Sequence, residues 1–194
     1  MFNGCSRLSY IKCLATTGVN ENNSTTDWVS GVASTGTFVK NIFMDDWTIG
    51  NNGIPNGWAV EDYLPAVKFT AQEANSTIGL QKLSSYQTLE YSRDLSVWSP
   101  MTTTTTITLA NSGDIVFIRG ILSADNTSSN YTQFKMTGVI SASGNCNYLW
   151  NYENPDVSLK RYCGYFMFYG CSSLTNAPEL PATTLTEGCY VSMF

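Results

Sequence analysis

The chain has 194 residues, of which 43% are apolar, 13% aromatic and only 13% charged, with 10 basic against 15 acidic side chains and a net charge of −5. That length suits one large domain or two small ones, and the absence of clustered Lys and Arg argues against nucleic acid as a partner. There is no histidine, which removes the commonest general base, the commonest zinc ligand and every Ser–His or Cys–His pair.

No apolar run reaches transmembrane length, so no membrane span is expected. The opening "MFNGCSRLSY" lacks a basic start and an apolar stretch, so it does not read as a secretory signal; export by another route, or membership of a longer chain, follows. A polar surface built from Ser, Thr and Asn suits an extracellular setting. Asn-x-Ser/Thr occurs at Asn22, Asn23, Asn75, Asn126 and Asn130, read as unmodified surface positions.

Residues 1–18 are set aside until the end of the chain repeats them. In "NNSTTDWVSGV", Ser, Thr and Asp precede an apolar pair, which predicts an N-cap and a short helix. Gly31 and Gly36 flank a turn, "TFVKN" reads as a strand, "TIGNNGIPNGW" is turn chemistry, and "GWAVEDY" reads as another strand. Trp28, Trp47 and Trp58 are expected to pack over an open repeat end, with sugar stacking as the alternative.

From residue 63 to about 158 the text changes. Short runs recur at regular intervals: "AVKFTA", "TIGLQKL", "TLEYS", "VWSPM", "TITLA", "DIVFIRGIL", "TQFKMTGVI" and "NYLW". Such spacing predicts an antiparallel β-sandwich. Asp114 to Leu122, apolar on both faces, reads as a central strand. The β-branched run "MTTTTTITL" reads as an exposed strand. "YSRDLSVWSPM" resembles a shortened Asp-box hairpin, in which Ser92, Asp94 and Trp98 match the pattern and Ser96 stands where glycine is usual. "SADNTSSN" (123–130) reads as a solvated loop, since it lacks calcium-loop spacing.

The end of the chain, "CGYFMFYGCSSLTNAPELPATTLTEGCYVSMF", is self-similar. Cys163 aligns with Cys189, and Met167-Phe168 aligns with Met193-Phe194 at the same spacing. That common period falls inside the range of roughly 20–29 residues used by leucine-rich repeats. "MFNGCSRLSY" at the start aligns with "MFYGCSSLTN", Met1 with Met167 and Gly4 with Gly170. Cys163, Phe166 and Met167 have helical spacing and predict a short inward-facing helix; Cys171 and Leu174 resume a buried row, and the prolines of "APELP" favour an extended path. On this reading Cys5, Cys163, Cys171 and Cys189 are small buried side chains, with disulfides as the alternative; Cys13 and Cys146 complete the six.

"MFYGCSSLTNAPELPATTLTEGCYVSMF" resembles the repeat of BspA-like leucine-rich-repeat surface proteins of gut Bacteroidetes and their phages. "SYIKCLATTG", "WVSGVASTGTFVKN" and "GIPNGWAV" resemble the closing segment of such arrays. The resemblance covers residues 1–62 and 161–194. It implies a last repeat and closing cap at 1–62, and the start of a repeat array at 159–194, on either side of the β-sandwich at 63–158. The expected fold class is therefore mainly β, with leucine-rich-repeat-like solenoid segments flanking an antiparallel β-sandwich. The family resemblance implies adhesion and surface binding, and carries over no catalytic residues. An array normally has several repeats, and this chain has barely more than one, divided between its two ends.

Carboxylate pairs occur at Asp45-Asp46 and Glu61-Asp62, with Glu153 and Asp156, but adjacent acids in turns point apart and supply no positioned acid and base. No catalytic residue, cofactor or metal site is assigned. Tyr148, Trp150 and Tyr152 fall on one face if "YLWNYENP" is a strand and are the candidate ligand-binding residues, with core packing as the alternative. Met1, Phe2, Cys189, Met193 and Phe194 form a candidate assembly seam. The expected function is a non-enzymatic extracellular binding or adhesion module for a glycan or protein, on a bacterial cell surface or phage virion. The alternative is a structural fibre or tail unit that self-associates head to tail through its repeat ends.

Overall fold

The computed structural model describes residues 1–15, 19 and 24–194. Asn22 and Asn23, with parts of the stretches read as repeat and as N-cap, lie outside the described residues. Among the described residues the protein is mainly β, with almost no helix, and its three sheets are neither closed nor wound as a solenoid. The chain divides into two units, Met1–Leu64 and Pro65–Phe194.

In the first unit three short runs rich in β-branched and aromatic residues form strands: β1 (Tyr10–Cys13), β2 (Thr37–Asn41) and β3 (Ala59–Tyr63). They pair in parallel, with Tyr10 beside Thr37 and Thr37 beside Ala59. Parallel neighbours need a long crossover, usually helical. Among the described residues the crossovers hold turns, and the short helix expected around Trp28 does not form. Asp27 takes a left-handed φ of 49°, and the Trp28 and Ser30 carbonyls accept from the amides of Phe2 and Gly4, both at 2.7 Å. Carbonyls engaged sideways cannot carry a helix onward.

The tryptophans of this unit are core residues, not a sugar platform. Trp28, Trp47 and Trp58 are buried with Ile11, Val29 and Phe38. The Trp28 and Trp47 rings stack with centroids 5.5 Å apart. Trp28 Nε1 donates to the Gly53 carbonyl at 2.9 Å and Trp58 Nε1 to the Ala33 carbonyl at 2.8 Å, which satisfies two indoles that would otherwise lose their hydrogen bonds on burial.

The second unit contains β4 (Val67–Ala71), β5 (Ser76–Lys82), β6 (Gln87–Ser92), β7 (Ser99–Met101), β8 (Thr106–Leu109), β9 (Ile115–Leu122), β10 (Gln133–Thr137), β11 (Ile140–Ser143) and β12 (Leu174–Asn176). One sheet has the order β10-β5-β8 and the other β12-β11-β4-β9-β6-β7. Alternate residues on each strand face inward, so Val67, Phe69 and Ala71 of β4 meet Ile78 and Leu80 of β5 and Phe134 of β10 in one core. β9 lies inside its sheet between β4 and β6, as its double-sided apolar pattern predicts. The threonine run is not one strand. The Thr105 amide donates to the Thr102 carbonyl at 3.0 Å, and Thr102 and Thr105 bond again through the Thr105 hydroxyl, so the run turns before β8 begins.

The closing stretch shares this second core. Cys163, Met167, Phe168, Cys189 and Met193 are buried in it, and β12 pairs in parallel with β11. The helix expected over 163–167 is a chain of tight turns. Tyr162 and Phe166 both have φ of 53°, which no α-helix accepts. The amides of Tyr162, Gly164, Phe166 and Phe168 reach the carbonyls of Glu187, Cys189, Val191 and Met193 at 2.6–3.1 Å. Each bond spans the same separation along the chain, so two copies of the repeat lie side by side in register.

Candidate functional site

Tyr148, Trp150 and Tyr152 do not lie on a strand. Cys146–Leu149 is a single 3-10 turn, capped by Asn145, whose side-chain oxygen accepts from the Asn147 amide at 2.7 Å. Alternate residues of such a turn are rotated by ~240°, not held on one face. Tyr148 is half-buried on the turn. Trp150 is only 4% exposed, packs beside Tyr190 with ring centroids 6.1 Å apart, and leaves little ring for a ligand to cover. A groove of about 640 Å³ runs beside it, lined by Asn147, Asn151, Pro155, Asp156 and Lys160 among others. Tyr152 is engaged elsewhere. The Arg119 guanidinium lies 4.0 Å from its ring and 3.7 Å from that of Trp98, while Arg119 Nε pairs with Glu90 at 2.5 Å. Cation–π and ion-pair contacts thus gather Tyr152, Trp98 and Glu90 around Arg119 of β9.

The Asp-box resemblance marks a folding device. Asp94 Oδ1 accepts from the Ser96 amide at 2.9 Å, the Val97 amide at 3.0 Å and the Ser92 hydroxyl at 2.9 Å. These donors hold its carboxyl well below the usual range, the Val97 amide most strongly. Leu95 takes the left-handed φ of 61°, one residue before the serine that replaces the customary glycine. Trp98 Nε1 donates to the Leu95 carbonyl at 3.2 Å, which closes the hairpin between β6 and β7.

Two further acidic residues are drawn to one lysine. Lys40 Nζ draws in Asp62 at 2.8 Å and Asp45 at 3.4 Å; burial pulls the lysine pKa down, but the two aspartates outweigh it and leave it raised. "SADNTSSN" is packed, not solvated. Asn126 is buried and accepts from the Ser84 hydroxyl at 2.6 Å, and Asp125 accepts from the Arg161 amide at 3.0 Å. Asn126 is therefore not a surface position. Of the cysteines expected to be buried, Cys163 and Cys189 are, Cys171 is half-buried and Cys5 is exposed; all six are free thiols. Of the seam residues, Cys189 and Met193 are buried, whereas Met1 is 92% exposed and Phe194 is 53% exposed. Phe2 packs on Trp28 at 6.0 Å, and Phe194 stacks on Phe168 at 5.6 Å.

The turns at 162–169 build a surface that the sequence reading missed. Cys163 and Met167 are buried in the core, whereas Tyr165 and Phe166 between them are half-buried. Five rings are in continuous contact. Tyr131 meets Tyr165 at 5.2 Å and Phe166 at 5.7 Å. Tyr165 meets Tyr162 at 5.4 Å and Phe166 at 4.5 Å, and Phe166 meets Tyr169 at 4.6 Å. Four of them are half-buried and Tyr169 is exposed. Lys82 Nζ covers part of the Tyr131 ring at 3.9 Å. The signal was present in the repeat alignment: Tyr162, Tyr165 and Phe166 align with Gly188, Val191 and Ser192, so aromatic residues are not what the turn itself requires. Assigning the segment to a helix turned Phe166 inward and hid this contrast.

Comparison with protein-family models, with curated proteins and with solved structures gives no match.

Proposed function

We propose that this chain is a non-enzymatic binding module that recognises a glycan at a bacterial cell surface or on a phage virion. The observation that carries the reading is the five-ring surface of Tyr131, Tyr162, Tyr165, Phe166 and Tyr169. Contiguous, partly exposed aromatic rings mark recognition sites, and ring faces bordered by hydroxyls suit the mixed apolar and polar faces of sugars. The non-enzymatic reading draws support from the carboxylates. Glycoside hydrolysis uses two of them facing a sugar across a cleft; here Asp45 and Asp62 are drawn to Lys40, and Asp94 is held by turn amides.

The constant offset between residues 162–168 and 187–193 supports a finer reading of the fold, in which leucine-rich-repeat-like segments at 1–62 and 159–194 flank a β-sandwich at 63–158. An extracellular location follows from the same family resemblance. The test is binding of the intact protein to an immobilised glycan panel. Retention on at least one neutral or charged glycan is expected; binding to none of them, with capture of a protein ligand instead, would replace the glycan by a protein partner.

A second reading, assembly, has its own observation. Amides at 162, 164, 166 and 168 all reach toward the later copy of the repeat. The same geometry turns the amides of residues 188, 190, 192 and 194 toward a further copy, and a backbone edge of this kind recruits another chain. Phe194 lies on that edge, Cys189 and Met193 join the two copies behind it, and Met1 and Phe2 carry the matching sequence.

A further inference from the structure

We propose that the ligand of the five-ring surface is a neutral hexose-based saccharide, gripped by Phe166 and Tyr169, and that the backbone is strained to present it. The proposal rests on the glycan reading above. Its first support is the comparison of two copies of one turn. The left-handed positions recur at equivalent places in the two copies: Tyr162 at φ 53° with Gly188 at 66°, and Phe166 at 53° with Ser192 at 47°. In the later copy these places hold a glycine and a small polar residue, which tolerate that conformation well. In the earlier copy they hold two bulky aromatic residues, for which a positive φ is a true outlier. Such strain clusters at functional sites. The Tyr162 ring packs over Gly188 of the later copy, but the turn at Phe166 does not need its ring, since the later copy makes the same turn with Ser192.

The second support is the state of the charges at the rim. Arg161 is paired with Glu187, which also accepts from the Tyr162 hydroxyl at 3.2 Å. Lys82 donates to the Ser129 carbonyl at 2.6 Å while it covers Tyr131. The cations beside the rings are thus already engaged, and a sulfate or carboxylate would have to break these contacts. A neutral sugar needs only ring faces and hydroxyl partners. Tyr169 is half exposed, and its carbonyl accepts from the Gln133 side-chain Nε2 at 2.9 Å, which fixes the turn that bears the ring.

The experiment is native affinity electrophoresis of the full chain in gels containing laminarin, yeast mannan, alginate or heparin, alongside thermal unfolding. The variants are Phe166→Ser, which copies the later repeat, and Tyr169→Ala. Retardation is expected from a neutral polysaccharide, weakened about tenfold or more in apparent affinity by each variant, as for a central aromatic contact. Phe166→Ser is expected to unfold no earlier than the parent. A steep loss of thermal stability in Phe166→Ser would make the ring structural and overturn the proposal. Retardation undiminished in both variants would move the glycan site elsewhere, which overturns the proposal and leaves the glycan reading standing. Retardation by alginate or heparin alone would overturn the neutral class. No retardation in any gel would overturn the proposal together with the glycan reading.

Discussion

Gly120 occupies the middle of β9 because nothing larger fits there. A Cβ at this position would come within 2.5 Å of Leu89 Cδ2 and 2.7 Å of the Leu149 carbonyl, in a core with no room to give. Gly120→Ala is therefore expected to destabilise the second unit by about 1–3 kcal/mol, read as a lower urea midpoint. Asp94 is the residue whose charge matters most to a turn. Its folded pKa lies below the ordinary 3.8, so its contribution is complete above that value and drains away as pH falls toward the folded pKa. The hairpin of Asp94→Asn should show a flatter acid dependence below about pH 4 than the parent, measured by hydrogen exchange of the β6 and β7 amides. The thiols divide by burial. Desolvation pushes Cys146 up to about 12 and raises Cys163 as well, and Cys189 is shut away with them. In mildly alkaline buffer a disulfide reagent is expected to label exposed Cys5 at once, and these three only after denaturation.

At the scale of the element, the strands of the second unit were legible because period-two alternation survives in them. Phe69 illustrates why. It stands on β4, fully buried, 5.7 Å from Phe134 and 6.3 Å from Phe168, so one ring joins both sheets and the closing turns. Phe69→Ala is expected to remove about 3–5 kcal/mol from the protection of the β4 and β9 amides in hydrogen exchange. The same substitution at Phe38 should act with similar size on the β1–β3 sheet, where its ring meets Trp28 and Trp47. The short elements were less legible. β1, β11 and β12 are each too short to display a period, and the 3-10 turn at Cys146 imitates an alternating strand.

For the whole molecule, the open question of assembly turns on concentration. A net charge of −5 opposes self-association only weakly at physiological ionic strength, and an unpaired backbone edge favours it. If the assembly reading holds, light scattering behind size-exclusion chromatography will show mass growing with concentration. A constant monomer mass across the series would set this reading aside in favour of ligand binding alone.

The sequence by itself determined the β class, the run of strands from Val67 to Thr137, the Asp94 hairpin and the register of the repeat, because each is written in local alternation, turn chemistry or direct repetition. Only the tertiary structure decided what 162–169 does. Whether a residue there faces in or out depends on which carbonyls its backbone reaches. Those carbonyls belong to Glu187, Cys189, Val191 and Met193, in the next copy of the repeat and beyond any local pattern. They impose the left-handed turns that bring Tyr162, Tyr165, Phe166 and Tyr169 onto one surface.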